Sequence, residues 1–538
     1  MTKRKRSVAL LMSFILVATS FGGFLGASGA GAQDRETLVF GINAADIGNL
    51  DPHYASATQD RAIVDMVFNG LVRFVPGTVT ELEPDIAAEM PTATENEDGT
   101  QTWSVVLRDD VMCQPSSETE AYQLTSADVV FSLQKAASDD TSNYASAYAG
   151  WTVEAVDDQT VEITVETPVS DALFLPTIAN YSGGFIICQQ PFEALGADGF
   201  ITNPVGTGPF MFQEYTPQNS VVLAANDDYF RGAPALGGVE VRFIADGTTR
   251  ELALQSGELH VAAGLPEAQW ADRVSEQEGL VADVFGVGEV LWLNINTEIE
   301  PFDDPLVREA VMLAISRDGH IALSGAPVGE AVYSPVPAQL MEGGLTEEEA
   351  TEAGVNYEQD TARAMELLAE AGYEDGFEID LVTSEMDAYR LNYEVLADEL
   401  RQIGVTVNLE VVQHAAMHDL IRQDENALTL YVAYRPNADV YLSQFFVSGT
   451  EDAPNVTNFS KYDVSDLVEE ARATTDSAEQ AELWKQANIN VQQDFAGYGV
   501  YLVNQVYARQ DTVDYGHELT AVINLYPGID ETTSISGD

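Results

Sequence analysis

Positive charge is rare in this 538-residue chain, with 24 Lys and Arg against 87 Asp and Glu, so an arginine among aromatic residues is a candidate for binding chemistry. Arg435 stands in the run YVAYRPNADVYLSQFF and Arg390 in the run MDAYRLNYEV. A planar guanidinium grips a carboxylate through two parallel hydrogen bonds, so either would anchor an acidic group of a ligand. The competing role for each is an ion pair with one of the many neighbouring acids. Tyr431, Tyr434, Tyr441 and Trp292 supply rings that would wall or stack on a ligand, or else pack a core. His414 and His418 lie four residues apart on an expected helix, a spacing that lets two imidazoles reach one metal ion. The same segment, AAMHDLIRQ, also reads as an ordinary amphipathic face. Catalytic signatures are missing after the leader: no G-x-S-x-G, no H-E-x-x-H, no Gly-rich loop ending in Gly-Lys and no EF-hand loop. Paired carboxylates mean little among 87 acids. The residues therefore point to binding, with no cofactor and no catalytic set.

The first 32 residues have the pattern of a secretion signal. Lys3, Arg4, Lys5 and Arg6 precede the apolar run Val8 to Val17, and Ala30-Gly31-Ala32 offers a small-x-small cleavage site before Gln33. An uncleaved membrane anchor is the alternative. No cysteine follows the apolar run, so a lipid anchor is not expected. Without the leader, 20 basic residues face 87 acidic ones, a net charge of −67. Such a surface repels phosphate, which makes nucleic acid and anionic membranes poor partners; it also suits a saline habitat, where like charges are screened. In an oxidising compartment Cys113 and Cys188, the only cysteines, are expected to form a disulfide, with two separately buried thiols as the alternative.

The elements that must position these groups alternate between strand and helix. Thr37–Ile42 reads as a first strand, and Ile63, Val64, Val67, Phe68 and Leu71 repeat at helical spacing after it. The segment from 81 to 201 is β-rich, with strands at Thr102–Leu107, Trp151–Val156 and Val161–Val165 and a helix SADVVFSLQKA that Ser126 would cap. Phe210, Phe212 and Tyr215, then Ser220–Ala224 and Val239–Ile244, read as three more strands; a helix from Thr248 to Gly257 and a strand Leu259–Ala262 complete an α/β crossover. Strand Val290–Asn294 precedes a helix capped by Asp304 with Pro305 at its first position. Helices Thr361–Ala371 and Leu391–Ile403 alternate with strands Phe377–Val382, Thr406–Val411 and Leu428–Ala433. A chain of this length divides into two or three domains.

The stretch PVGTGPF, followed by NDDYFRGAPAL and TTRELALQSGELHVA, resembles the signature of the family 5 extracellular solute-binding proteins, the peptide, opine and nickel receptors of ABC importers. GVGEVLWLNINTEIEPFDDPLVREAVMLAISRD is similar to another block of that family. In peptide-binding members, an Asp after the last large strand of the second lobe commonly pairs with the ligand's amino terminus. Here Tyr434 and Arg435 occupy its place, and the nearest acid is Asp439. Arg390 loosely matches a position where dipeptide-binding relatives hold the ligand's carboxylate.

The resemblance implies an α/β, two-lobed periplasmic-binding-protein fold (type II, cluster C-like) with an extra β-rich subdomain inserted in lobe I. The expected division is a signal peptide over 1–32, lobe I over 33–80, 202–289 and 504–538, the insert over 81–201, and lobe II over 290–503. It further implies a monomeric periplasmic receptor that closes on a short peptide or similarly sized charged organic solute and hands it to ABC permease subunits in the inner membrane. The ligand would meet Arg435, Tyr434, Asp439, Arg390, Trp292, Tyr431 and Tyr441. The competing readings are an exported hydrolase on a two-lobed scaffold and a metal-chelate or oligosaccharide receptor of the same family.

Overall fold

Two strands of unusual length, Leu280–Ile295 and Gly497–Gln510, run antiparallel through the protein and belong to both of its lobes. A computed structural model describes residues 35–78, 81–138, 140–435, 437–450, 454–520 and 525–536. The leader over 1–32 lies outside the described residues. No helix among them is long and apolar enough to cross a membrane.

At one end of the long pair, Leu280–Phe285 faces Gln505–Gln510, and the sheet continues through Val261–Ala263, Thr37–Ile42, Gly238–Phe243, Ser220–Ala225 and Phe210–Thr216. Thr37–Ile42 is parallel to both of its neighbours, as a right-handed α/β crossover requires. At the other end, Glu289–Asn294 faces Gly497–Val503, flanked by Leu428–Ala433 on one side and Gly329–Ala331 on the other. Between the two ends, residues 286 to 288 of the first long strand fall out of register with the second. A bulge loosens the ladder and lets a strand bend. Gly286 and Gly288 put that bulge where two packed ends can rotate about continuous strands. In the second lobe a parallel pair, Phe377–Ser384 and Val405–Val412, is joined by the helix Asp387–Gln402, which starts one turn earlier than its apolar periodicity predicts.

The inserted unit is a four-stranded antiparallel sheet, Thr92–Glu95, Gln101–Val106, Thr160–Val165 and Thr152–Asp157, covered by the helix Ser126–Ala136. It has its own apolar core, centred on Trp103 stacked on Phe174 at 4.1 Å. Ser126 does not cap this helix. Thr125 does, its backbone N–H donating to Asp128 at 3.0 Å in a capping box, while the Ser126 hydroxyl donates to the Asp157 carbonyl. Cys113 and Cys188 are bonded to each other in this unit, and both are fully buried.

The PVGTGPF loop is a structural joint. The Gly208 N–H donates to the Val67 carbonyl at 2.8 Å, and Gln114 of the inserted unit donates from its side chain to the carbonyls of Gly208 and Phe210 at 3.0 Å each. A Cβ on Gly206 would lie 2.2 Å from the Val67 oxygen, and one on Gly208 would lie 2.6 Å from the Val67 carbonyl carbon. Because the obstacle is backbone, no side chain can swing away. Gly208→Ala is expected to lower the unfolding free energy by about 2–3 kcal/mol in urea titration; a loss below about 0.5 kcal/mol would show that the joint yields freely.

Candidate functional site

A cavity of about 580 Å³ lies where the lobes meet the long strands. This is within the size range of small-molecule sites. The first lobe contributes Asn43 and Gly264, just past the carboxyl ends of the parallel neighbours Thr37–Ile42 and Val261–Ala263. That is where α/β sheets place ligands, because the chain leaves the sheet there and a crevice opens. The second lobe contributes Asp387, Ala388, Leu391 and Asn392, spaced as one face of the helix Asp387–Gln402. The long strands form the floor through Glu289 and Leu291 and through Tyr501 to Tyr507.

Several floor and wall groups are held in place from behind. Asn392 accepts or donates at every polar atom: its Oδ1 meets His320 Nδ1 at 2.8 Å, and its amide donates to the Ala388 carbonyl at 2.7 Å and to the Tyr501 hydroxyl at 3.2 Å. Asn504 donates to the Pro327 carbonyl at 2.9 Å, yet its buried Oδ1 has no hydrogen-bond partner. Glu289 is reached by the cavity's solvent but enclosed by protein, and this envelope raises its carboxyl above the ordinary range. A second, smaller cavity of about 110 Å³ lies within the first lobe. Arg73, bridged to Glu83 and Glu531, and Asp85, bridged to Arg231, line it with ion pairs, so it has little room for a solute.

None of the seven residues expected to touch a ligand lines the large cavity. Trp292, at 0% exposure, packs with Tyr431 (8%), Tyr441 (1%) and Phe445 in an aromatic core, because its strand position points into the second lobe. Arg390 spends its fork on Asp387 and on Glu394, 2.8 Å away on its own helix. Arg435 donates to Gln444 and to the Tyr434 carbonyl and lies over the Phe445 ring. Asp439 accepts a bidentate pair from Arg472, both bonds 2.8 Å. Tyr434 is half-buried, and burial, followed by the influence of Tyr181, pushes its phenol well above the usual range. Nearby, Arg61 stacks over the Tyr181 ring at 4.4 Å. A contact across the lobes joins Ser170 of the inserted unit to Gln480 on the helix Ser477–Gln493, 2.8 Å apart and buried.

The His414 and His418 rings are 4.6 Å apart, but Ser384 holds His414 Nδ1 at 3.0 Å. Among the described residues no group of three or more His, Cys, Asp or Glu is placed to hold a metal ion. Glu289, Asn392, Asn504 and Tyr501 escaped sequence reading. The one available signal was Gly286-Val287-Gly288 ahead of Glu289, which breaks a strand where a hinge is needed.

Two α/β lobes joined by continuous strands, with a cavity at the joint, define the class of two-lobed solute-binding proteins. The model of the bacterial extracellular solute-binding proteins, family 5 (middle region) matches residues 81–465, and the chain belongs to that family. It is 27% identical to heme-binding protein A of Haemophilus influenzae over 501 residues, 86% of each chain. It is also 27% identical to the glutathione-binding protein GsiB of Escherichia coli over 491 residues, covering 88% of this chain and 90% of that one. The solved structure of MoaA from A. tumefacien R10 in complex with mannopinic acid superposes with a TM-score of 0.74 at 34% identity, over 94% of this chain and 100% of that one. The structure of HbpA2 from Haemophilus parasuis has the same fold at 24% identity, with a TM-score of 0.79 and coverage of 93% and 100%.

Proposed function

We propose that this protein is the monomeric, periplasmic substrate-binding subunit of an ABC importer. After removal of its leader, it captures a short peptide or similarly sized charged organic solute in the cavity and presents the closed form to permease subunits. It performs no chemistry on the guest. The observation that carries this reading is the cavity's position astride the two long strands, at their bulge. A solute touching Asn43 and Gly264 on one side and Leu391 and Asn392 on the other stabilises the closed state by its contacts with both lobes. Micromolar affinity, about −8 kcal/mol, suffices for such a receptor.

The test uses a tryptic casein digest, small-angle scattering and thermal unfolding on the ligand-stripped protein. Retained peptides should be recovered intact by mass spectrometry. A bound peptide at a hundred times its Kd should stabilise the protein by about 2.7 kcal/mol and reduce its radius of gyration. Superimposable scattering curves with a peptide bound, or cleavage of the bound peptide, would sink the proposal.

A further inference from the structure

The charge on the cavity wall is one-sided. Among its described lining residues are three carboxylates, Glu267, Glu289 and Asp387, and no Lys, Arg or His. Glu267 and Asp387 are exposed, and Asp387 is already paired with Arg390. Asp387 also stands in the first turn of its helix, where it offsets the positive end that would otherwise attract an anion. Glu289 is exposed to the cavity as they are, but among the described residues its carboxylate has no hydrogen-bond or ion-pair partner. An unspent carboxylate on the cavity wall is free to take a charge-assisted hydrogen bond from a cation that arrives with the guest.

Two independent observations point the same way. Asn504 lines the cavity at 8% exposure with its Oδ1 unpartnered, so it lacks a donor. Tyr501 and Tyr507 bring aromatic rings to the same floor, and ring faces attract ammonium and guanidinium groups. The chain's net negative charge also steers cations towards it.

We infer, resting on the binding reading above, that the cavity selects a cationic organic solute, one carrying an ammonium or guanidinium group that pairs with Glu289 and donates to Asn504. Anionic groups are left without a cationic partner in the wall. The arginines anticipated for that role, Arg390 and Arg435, are held elsewhere.

The experiment is isothermal titration of the full mature chain with Ala-Arg-Ala, Ala-citrulline-Ala, Ala-Glu-Ala and spermidine, repeated on Glu289→Gln and on Leu391→Trp. Citrulline keeps the shape of arginine and removes its charge. The expected result is about tenfold tighter binding of Ala-Arg-Ala than of its citrulline counterpart, a preference that Glu289→Gln abolishes. Spermidine should compete with Ala-Arg-Ala. Equal or tighter binding of the neutral or acidic peptide would overturn the charge assignment and leave the cavity as the site. Undiminished binding of Ala-Arg-Ala to Leu391→Trp, whose ring would intrude on the cavity from the second lobe, would instead overturn the binding reading. No binding of any probe at millimolar concentration would also overturn the inference.

Discussion

Reduction of the Cys113–Cys188 bond, or its replacement by two serines, is expected to cost the inserted unit about 4–5 kcal/mol of stability, the largest single effect in the molecule. The two cysteines are 75 residues apart in sequence. Cross-linking so long a loop removes much of the conformational freedom of the unfolded chain, and that freedom returns when the bond is broken. Cys113 lies in the short strand Met112–Cys113, and Cys188 directly precedes the helix Gln189–Phe200, so the bond ties one side of the insert to the other. Urea unfolding followed by the fluorescence of Trp103 and Trp151, with and without reductant, measures the difference. A change under about 1 kcal/mol would mean that the reduced unfolded unit stays compact. No lining residue of the cavity comes from 81–201, so solute binding should survive reduction at temperatures where the insert remains folded.

The second large effect belongs to a buried polar cluster where the insert meets the first lobe. Lys135 Nζ lies 2.9 Å from Asp51 and 3.4 Å from His53 Nδ1, and His53 Nε2 pairs with the Phe185 carbonyl at 3.0 Å. Burial raises the Asp51 carboxyl and lowers the Lys135 amine despite their attraction, so desolvation outweighs the pairing. Such a pair adds little net stability while intact. Removing one partner is another matter: Lys135→Met strands Asp51 in the interior and should cost about 3–5 kcal/mol, whereas Lys135→Met with Asp51→Leu should recover most of it. A single mutant as stable as the parent would show that water reaches Asp51.

The same cluster sets an acid limit. Burial, reinforced by Lys135, holds His53 neutral down to about pH 3, against an ordinary value of 6.5. A depressed value means that the unfolded chain binds a proton the folded chain refuses. Stability is full above pH 6.5 and falls by about 1.4 kcal/mol per pH unit between 6.5 and about 3. Asp51, with its raised value, works in the opposite sense at the lower end of that window. His53→Asn should flatten the pH dependence of the melting temperature between 6 and 4 relative to the parent. An unchanged slope would remove His53 as its source.

Much of the architecture was legible because local rules and tertiary demands agree. Thr37–Ile42 alternates towards one core, Asp304 and Pro305 start their helix as cap and first residue, and Val290–Asn294, a strand by its pattern, lies within one of the two long strands. The fit of Gly206 and Gly208 against Val67 explains why the loop needs residues without a Cβ. The expected binding residues lie away from the cavity for a common reason. Arginines and aromatic rings were chosen for what they can do, but whether a group is spent depends on its neighbours in space. Arg390, Arg435 and Asp439 each found a partner within a few residues or on an adjoining helix, and Trp292, Tyr431 and Tyr441 face one another.

The amino-acid order alone determined the succession of strands and helices and the acidic surface, because periodicity, capping and composition act over a few residues at a time, while the class of two-lobed receptor rested on the resemblance of PVGTGPF and its neighbouring blocks to a family. Only the folded structure decided which side chains stand idle in the cleft. Glu289 and Asn504 lie 215 positions apart in the chain and reach one cavity because two antiparallel strands pair across it. That the Glu289 carboxylate and the Asn504 Oδ1 have no partner among the described residues is a property of everything packed around them.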